Sequence, residues 1–162
     1  MIFCLAGYNL LAAFPVTIPF IYKNNKMSFT KTYTVKDEHI DVQNIMDGLY
    51  YPFYMEWCRH DFIREVLGFD FEEQAHKGVN MVLSEYSLKF VRSLKSGDEF
   101  TVSCELFGDA KGLPRLHFKQ TITCKNKVMT TGMFTGTCIS AGGRPYLPES
   151  ILEKIAGQPV LE

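Results

Sequence analysis

Residues 49–68, LYYPFYMEWCRHDFIREVLG, form the longest helical candidate in the chain, and nearly everything after them alternates. Leu49, Phe53, Trp57, Phe62 and Val66 recur near helical spacing, with Tyr50, Tyr54 and Cys58 widening the apolar face. Glu56, Arg59, Asp61, Arg64 and Glu65 supply the solvated side. Gly68 is the expected C-cap. Pro52 is comfortable only in a first turn, so the helix starts near Gly48 or later. Four strand candidates then follow in succession: 79–92, 99–108, 115–124 and 128–140. Their breaks are turn chemistry, Lys-Ser-Gly-Asp, Asp-Ala-Lys-Gly-Leu-Pro and Lys-Asn-Lys.

Ahead of the helix, SFTKTYTVK puts Phe29, Tyr33 and Val35 on one face of a half-buried strand. DEHIDVQNIMDG and FDFEEQAHKG read as loops on either side of the helix, and Glu149 to Lys154 as a short terminal helix stopped by Gly157. Strand, long helix, then four strands on short connections is an α+β arrangement, an antiparallel sheet of about five strands around one helix. Open sheet edges invite pairing with another copy, so a homodimer or homotetramer is expected.

Composition excludes more than it selects. A net charge of −1 without a basic stripe gives nucleic acid nothing to bind. The cysteines number five, Cys4, Cys58, Cys104, Cys124 and Cys138, with no CxxC pair, which suits a reduced, cytoplasmic protein. His39, His60, His76 and His117 are too scattered for a recognisable metal site, and no metal or cofactor is expected. GxSxG, GxGxxG, P-loop and HExxH patterns are all missing. Cys58 and His60, two apart on a helix, point to different faces and make no nucleophile pair.

Residues 1–22 carry no charged side chain. No positive region precedes the apolar stretch, as a secretory signal requires. The length suits a membrane helix of about 20 residues, although Gly7, Asn9, Pro15 and Pro19 weaken one. The third reading, which we favour, begins the functional domain at Met27 and leaves 1–26 as an upstream extension, with membrane association still open.

Asp41, Tyr51, Glu56 and Arg59, at these spacings around the start of a long helix, resemble the hot-dog superfamily. The likeness is to the 4-hydroxybenzoyl-CoA thioesterase-like branch of acyl-CoA thioesterases. A second patch, Phe90-Val-Arg92 through Gly97-Asp98-Glu-Phe100, looks like that family's strand-to-strand turn, and the likeness spans roughly residues 28–155. Many members carry His or a small residue near the position of Ile45 and a polar pair where this chain has Asp47 and Gly48.

The resemblance implies hydrolysis of an acyl-CoA thioester. A helix N-terminus offers free N–H groups and partial positive charge to a developing oxyanion. The family's polarising amide falls at Gly48, and its general base or nucleophile at Asp41. Read from its residue type alone, an Asp ahead of a helix is more often a turn former or cap than a catalyst. Asp47 is a helix N-cap or a second active-site carboxylate. Tyr51 is a substrate contact or core. Lys89, Arg92 and Lys95 form a basic cluster that either meets the CoA phosphates, with Arg92 the best suited, or is a solvated strand end. Glu56 and Arg59 fit a surface ion pair. Met46, Met55, Met81 and Phe90 are candidates for an acyl pocket or for ordinary core. The competing functions are a hydratase or dehydratase on the same fold, which needs a His-centred site, and a non-catalytic acyl-thioester or protein-binding domain.

Overall fold

The computed structural model describes residues 26–161. The uncharged segment 1–22 therefore lies outside the described residues, and no helix among them is long and apolar enough to cross a membrane. The elements run β1 (Ser28–Thr34), α1 (Tyr50–Glu65), α2 (Phe71–His76), β2 (Asn80–Phe90), β3 (Glu99–Asp109), β4 (Leu116–Cys124), β5 (Lys127–Ile139), β6 (Pro145–Tyr146), α3 (Glu149–Ile155) and β7 (Val160–Leu161). The five long strands pair antiparallel in the order β1-β3-β4-β5-β2, which is the hot-dog arrangement, with α1 lying across one face. The two-residue strands β6 and β7 extend it, β7 parallel to β3.

Strict alternation along β3 sends Phe100, Val102, Cys104 and Leu106 toward the helix, joined by Leu116, Phe118 and Ile122 of β4 and Phe134 of β5. These close on Tyr51, Tyr54, Met55, Cys58, Phe62 and Ile63 of α1. The buried stripe of α1 matches the expected one only in part: Tyr54, Cys58 and Phe62 are buried, and the rest of the seam is supplied by Tyr51, Met55 and Ile63. Leu49 is 71% exposed, Phe53 50% and Trp57 44%. Apolar side chains occur nearly all round this helix, so spacing alone could not choose the face. The sheet chose it, because the 51-54-55-58-62 row meets the wider apolar surface.

Three further expectations need correction. The Gly97-Asp98 turn does not close a hairpin, because β2 and β3 are not neighbours. Residues 91–98 instead cross the ends of β5 and β4, and Lys125 Nζ meets Asp98 Oδ1 at 2.9 Å on the way. The loop after α1 contains α2, whose N-cap Asp70 accepts the Glu73 N–H at 2.9 Å. That Asp-x-x-Glu spacing was readable as a helix start. Finally, Arg59 is buried rather than paired at the surface with Glu56. Pro52 causes no conflict, since α1 begins at Tyr50 and the missing N–H falls among the first-turn donors that have no helical partner.

Candidate active site

The chain enters α1 through a tightly held loop. A one-turn 3-10 helix, Asp37–His39, ends on the buried His39, whose ring stacks on Tyr50 with centroids 3.8 Å apart. His39 Nδ1 lies 3.1 Å from the Tyr54 hydroxyl, which also donates to Thr34 O at 3.1 Å. Ile40 and Met46 bridge across the loop, and Met46 N donates to Leu94 O at 2.8 Å. The turn between them is drawn tight by Asp41. Its Oδ1 accepts from Gln43 N at 2.8 Å and Ile45 N at 3.4 Å, while Asn44 takes the left-handed conformation at φ 61°.

These anchors bring Asp41, Gly48, Tyr51 and Arg92 onto one cavity of about 380 Å³, open between the helix entrance and the end of β2. Met46 and Phe90 line it too, and the Tyr51 and Phe90 rings meet edge to face at 5.2 Å. Asp47 does not line it. Its Oδ1 accepts the Leu49 N–H at 2.9 Å, a turn contact, and the cap position itself is Leu49. Of the other acyl-pocket candidates, Met81 lines a separate cavity and Met55 is fully buried under α1.

Each residue brings a different capacity. Asp41 spends one carboxylate oxygen on its own turn, and Oδ2 has no protein partner among the described residues. The Gly48 N–H is likewise without a protein acceptor among the described residues, and it sits at the electropositive end of a 16-residue helix. A Cβ at position 48 would stand 3.8 Å from Phe90 Cζ, ordinary contact. Folding does not demand glycine there. Its effect is to leave the amide open to whatever occupies the cavity.

The Tyr51 hydroxyl accepts the buried Leu94 N–H at 3.0 Å, and burial first of all pushes its pKa up, so it stays a neutral phenol. It thereby fixes the 91–94 segment that carries Arg92. Arg92 Nη1 donates to Val128 O at 2.9 Å, which holds its exposed guanidinium at the rim. The expected basic cluster is split. Lys89 lines a different, smaller cavity with Lys119, and Lys95 is tied through its own N–H to Asp98 Oδ2 at 2.9 Å. Phe90 was foreseen only as one of several apolar candidates. Ser93, also on the cavity, was not foreseen, and nothing in its sequence surroundings marks it.

The Cys58–His60 pair fails on chemistry as well as on facing. Burial, with the Asp61 charge adding to it, pushes the Cys58 thiol up to about 12. A thiol at that value is not a nucleophile at neutral pH. Burial also lowers the His60 imidazole, and its Nε2 faces Glu56 at 3.6 Å.

Comparison with known proteins agrees with this architecture. A Staphylococcus aureus protein solved in complex with CoA superposes with a TM-score of 0.73 at 26% identity, over 85% of this chain and 89% of that one. A 1,4-dihydroxy-2-naphthoyl-CoA thioesterase from Synechocystis shares the fold at a TM-score of 0.72 and 14% identity, over 80% of this chain and 96% of that one. The chloroplastic acyl-acyl carrier protein thioesterase ATL3 of Arabidopsis thaliana is 31% identical over 84 residues, 52% of this chain and 43% of that protein. The chain thus matches less than half the length of its Arabidopsis relatives. A family profile covering residues 35–155, from the end of β1 through α3, matches the loop, helix and sheet that build the cavity, and by it the chain belongs to the thioesterase-like superfamily.

Proposed function

We propose that this chain hydrolyses an acyl-CoA thioester to the free acid and CoA. The observation that carries the reading is the meeting of Asp41 and the Gly48 amide on one cavity at a helix entrance. The thioester carbonyl oxygen takes the Gly48 N–H, which stabilises the negative charge that develops there. Asp41 Oδ2 removes a proton from water as the water oxygen attacks the carbonyl carbon; acting as nucleophile, the same oxygen attacks directly and forms an acyl–aspartyl anhydride, which water then cleaves, regenerating the carboxylate and supplying the acid's oxygen and the proton. Collapse of the tetrahedral species breaks the carbon–sulfur bond, and the CoA thiolate leaves and takes up the proton. Tyr51 and Phe90 supply an aromatic wall for the acyl group. Family membership and CoA held by the similar S. aureus protein support the substrate class. The test is release of free CoA from short, long and aromatic acyl-CoAs. An acyl-acyl carrier protein runs alongside, since that is the headgroup in the names of the Arabidopsis relatives. A folded protein inert toward the whole panel would favour the non-catalytic binding reading, for which the engagement of Asp41 Oδ1 in its own turn is the supporting observation.

Arg92 is assigned to the CoA phosphates. Arg92→Ala is expected to raise KM for acyl-CoA about tenfold with kcat little changed, the pattern of lost uniform binding. A fall in kcat at constant KM would remove Arg92 from that role.

A homodimer through β2 completes the proposal. The outer edge of β2 pairs with no strand among the described residues, and Leu83, Tyr86 and Phe90 stand exposed along it. Light scattering is expected to give twice the chain mass, and Tyr86→Lys to shift the population toward monomer. A monomeric wild type would refute this assembly. The buried, unbridged Cys58, Cys104, Cys124 and Cys138 suit a reducing, cytoplasmic location. Removing residues 1–26 is expected to leave a folded domain, which melting of the shortened chain checks.

A further inference from the structure

A second cavity, about 260 Å³, opens on the same seam between α1 and β2, farther along the helix. Glu56, Arg59 and His60 line it from α1, Met81 and Leu83 from β2, and Gly136 from β5. Arg59 is the unusual member, for it is only 4% exposed. Its Nη1 donates to Gln120 Oε1 at 2.8 Å, and the guanidinium carbon lies 4.3 Å from the centre of the Phe134 ring. Gln120, itself fully buried, is locked by its own donation to Met55 O at 2.8 Å, which turns its amide oxygen to the guanidinium. Arg59 is therefore rigidly aimed.

What it lacks is a counter-charge. Among the described residues no carboxylate lies within ion-pair distance of it. Glu56 shares the cavity, but its side chain is half exposed and contacts His60 at the mouth. An arginine carries five donors and does not shed its proton, and a buried charge is costly unless something of opposite sign meets it. A fixed, desolvated guanidinium opening on a cavity is a receptor for a carboxylate.

Its place on the seam says which carboxylate. Arg59 follows Tyr50 by nine positions on α1, about 14 Å along the axis at ~1.5 Å per residue. Helical side chains lean back toward the N-terminus, which shortens that gap. On the strand beneath this seam, a Cβ at Gly132 would stand 2.7 Å from Phe134, 2.8 Å from Leu88 and 3.1 Å from Met55, so the glycine leaves these apolar side chains their room. We propose that Arg59 is a specificity determinant that binds the carboxylate at the far end of an acyl group whose thioester sits at Gly48. The preferred substrates are then monothioesters of medium-length dicarboxylic acids. This assignment rests on the thioesterase reading of the Asp41–Gly48 cavity.

The experiment compares suberyl-CoA with octanoyl-CoA, equal in chain length and different only in the terminal carboxylate. Wild type is expected to prefer suberyl-CoA by about tenfold or more in kcat/KM, as a charge-assisted contact gives. Arg59→Met is expected to erase the preference through KM and to leave octanoyl-CoA hydrolysis in place. His60→Glu, a substitution at the cavity mouth, where the half-buried ring lies 4.8 Å from that of Phe71 and meets no ring under the helix among the described residues, is expected to do the same by repulsion. Equal or better hydrolysis of octanoyl-CoA by wild type overturns the proposal, as does a preference that survives both variants. Calorimetric titration with free suberate and octanoate separates this from failure of the hydrolase reading. If neither thioester is cleaved, suberate binding that His60→Glu weakens retains the carboxylate site, and no preference for suberate over octanoate rejects it.

Discussion

Asp41→Asn is expected to lower kcat for thioester hydrolysis by about 100-fold or more while leaving the melting temperature nearly unchanged. The substitution separates the two roles this residue can have. Asp41 Oδ1 holds the turn by accepting from Gln43 N and Ile45 N. An asparagine keeps an oxygen at that position, so the turn that shapes the cavity persists, and Asn tolerates such turns as well as Asp does. The other atom changes from a free carboxylate oxygen into an amide NH₂, which can neither accept a proton from water nor attack a carbonyl. General acid–base contributions of this kind run to about 10²–10⁴ in rate. Asp41→Ala removes the turn acceptor too and should lose stability as well as activity. The measurement is steady-state CoA release beside thermal unfolding for both variants. An asparagine variant with full turnover would leave Asp41 as a turn former only, and the proton acceptor would have to be sought among other groups on the seam.

The sheet was readable almost strand for strand, because β3, β4 and β5 alternate and their breaks carry Gly, Pro, Asn and Asp. The expected runs 99–108, 115–124 and 128–140 became Glu99–Asp109, Leu116–Cys124 and Lys127–Ile139. What local pattern could not give was the partner of β2. A short connection argues for adjacent pairing, yet residues 91–98 carry the chain past two strand ends. That path depends on which strands close the sheet, information held in distant residues. The helix was legible as a helix and not as an oriented one. Leu49, Phe53 and Trp57 are as well spaced as Tyr51, Tyr54, Met55 and Cys58, and only contact with the sheet distinguishes the rows.

The candidate site divides the same way. Asp41, Gly48 and Tyr51 follow from a resemblance in spacing and Arg92 from a basic cluster suited to the CoA phosphates, and the fold gathers all four on one cavity. Asp47 lay in the same motif but is turned into its own loop. An arginine three residues from a glutamate on a helix is ordinarily a surface charge, and Arg59 is not one. Its burial follows from Gln120, sixty-one residues away, a pairing with no local signal.

Phe62→Ala is expected to destabilise the fold by about 3–5 kcal/mol, the largest single-residue loss among the side chains discussed. Phe62 is fully buried near the C-terminal end of α1, with ring centroids 6.3 Å from Phe29 of β1 and 6.1 Å from Phe118 of β4. It therefore pins the helix to strands on both sides of β3, and edge-to-face geometry with Phe118 adds to the area it removes from water. Truncation leaves a void that neighbouring β-strands, fixed by their ladders, cannot collapse to fill. For a chain of this size each kcal/mol lowers the melting temperature by roughly 2–4 °C, so a fall of about 10 °C is the expected reading at fixed protein concentration. Hydrolysis per folded molecule at 25 °C should be nearly unaffected, because Gly48 and Asp41 lie at the opposite end of the helix and are held by His39, Tyr54 and Leu94. A loss below about 1 kcal/mol would mean that α1 does not rest on the sheet through this ring. A large loss of activity with stability intact would mean that the two ends of α1 are coupled, so that the seat of the helix on the sheet sets the position of the Gly48 amide.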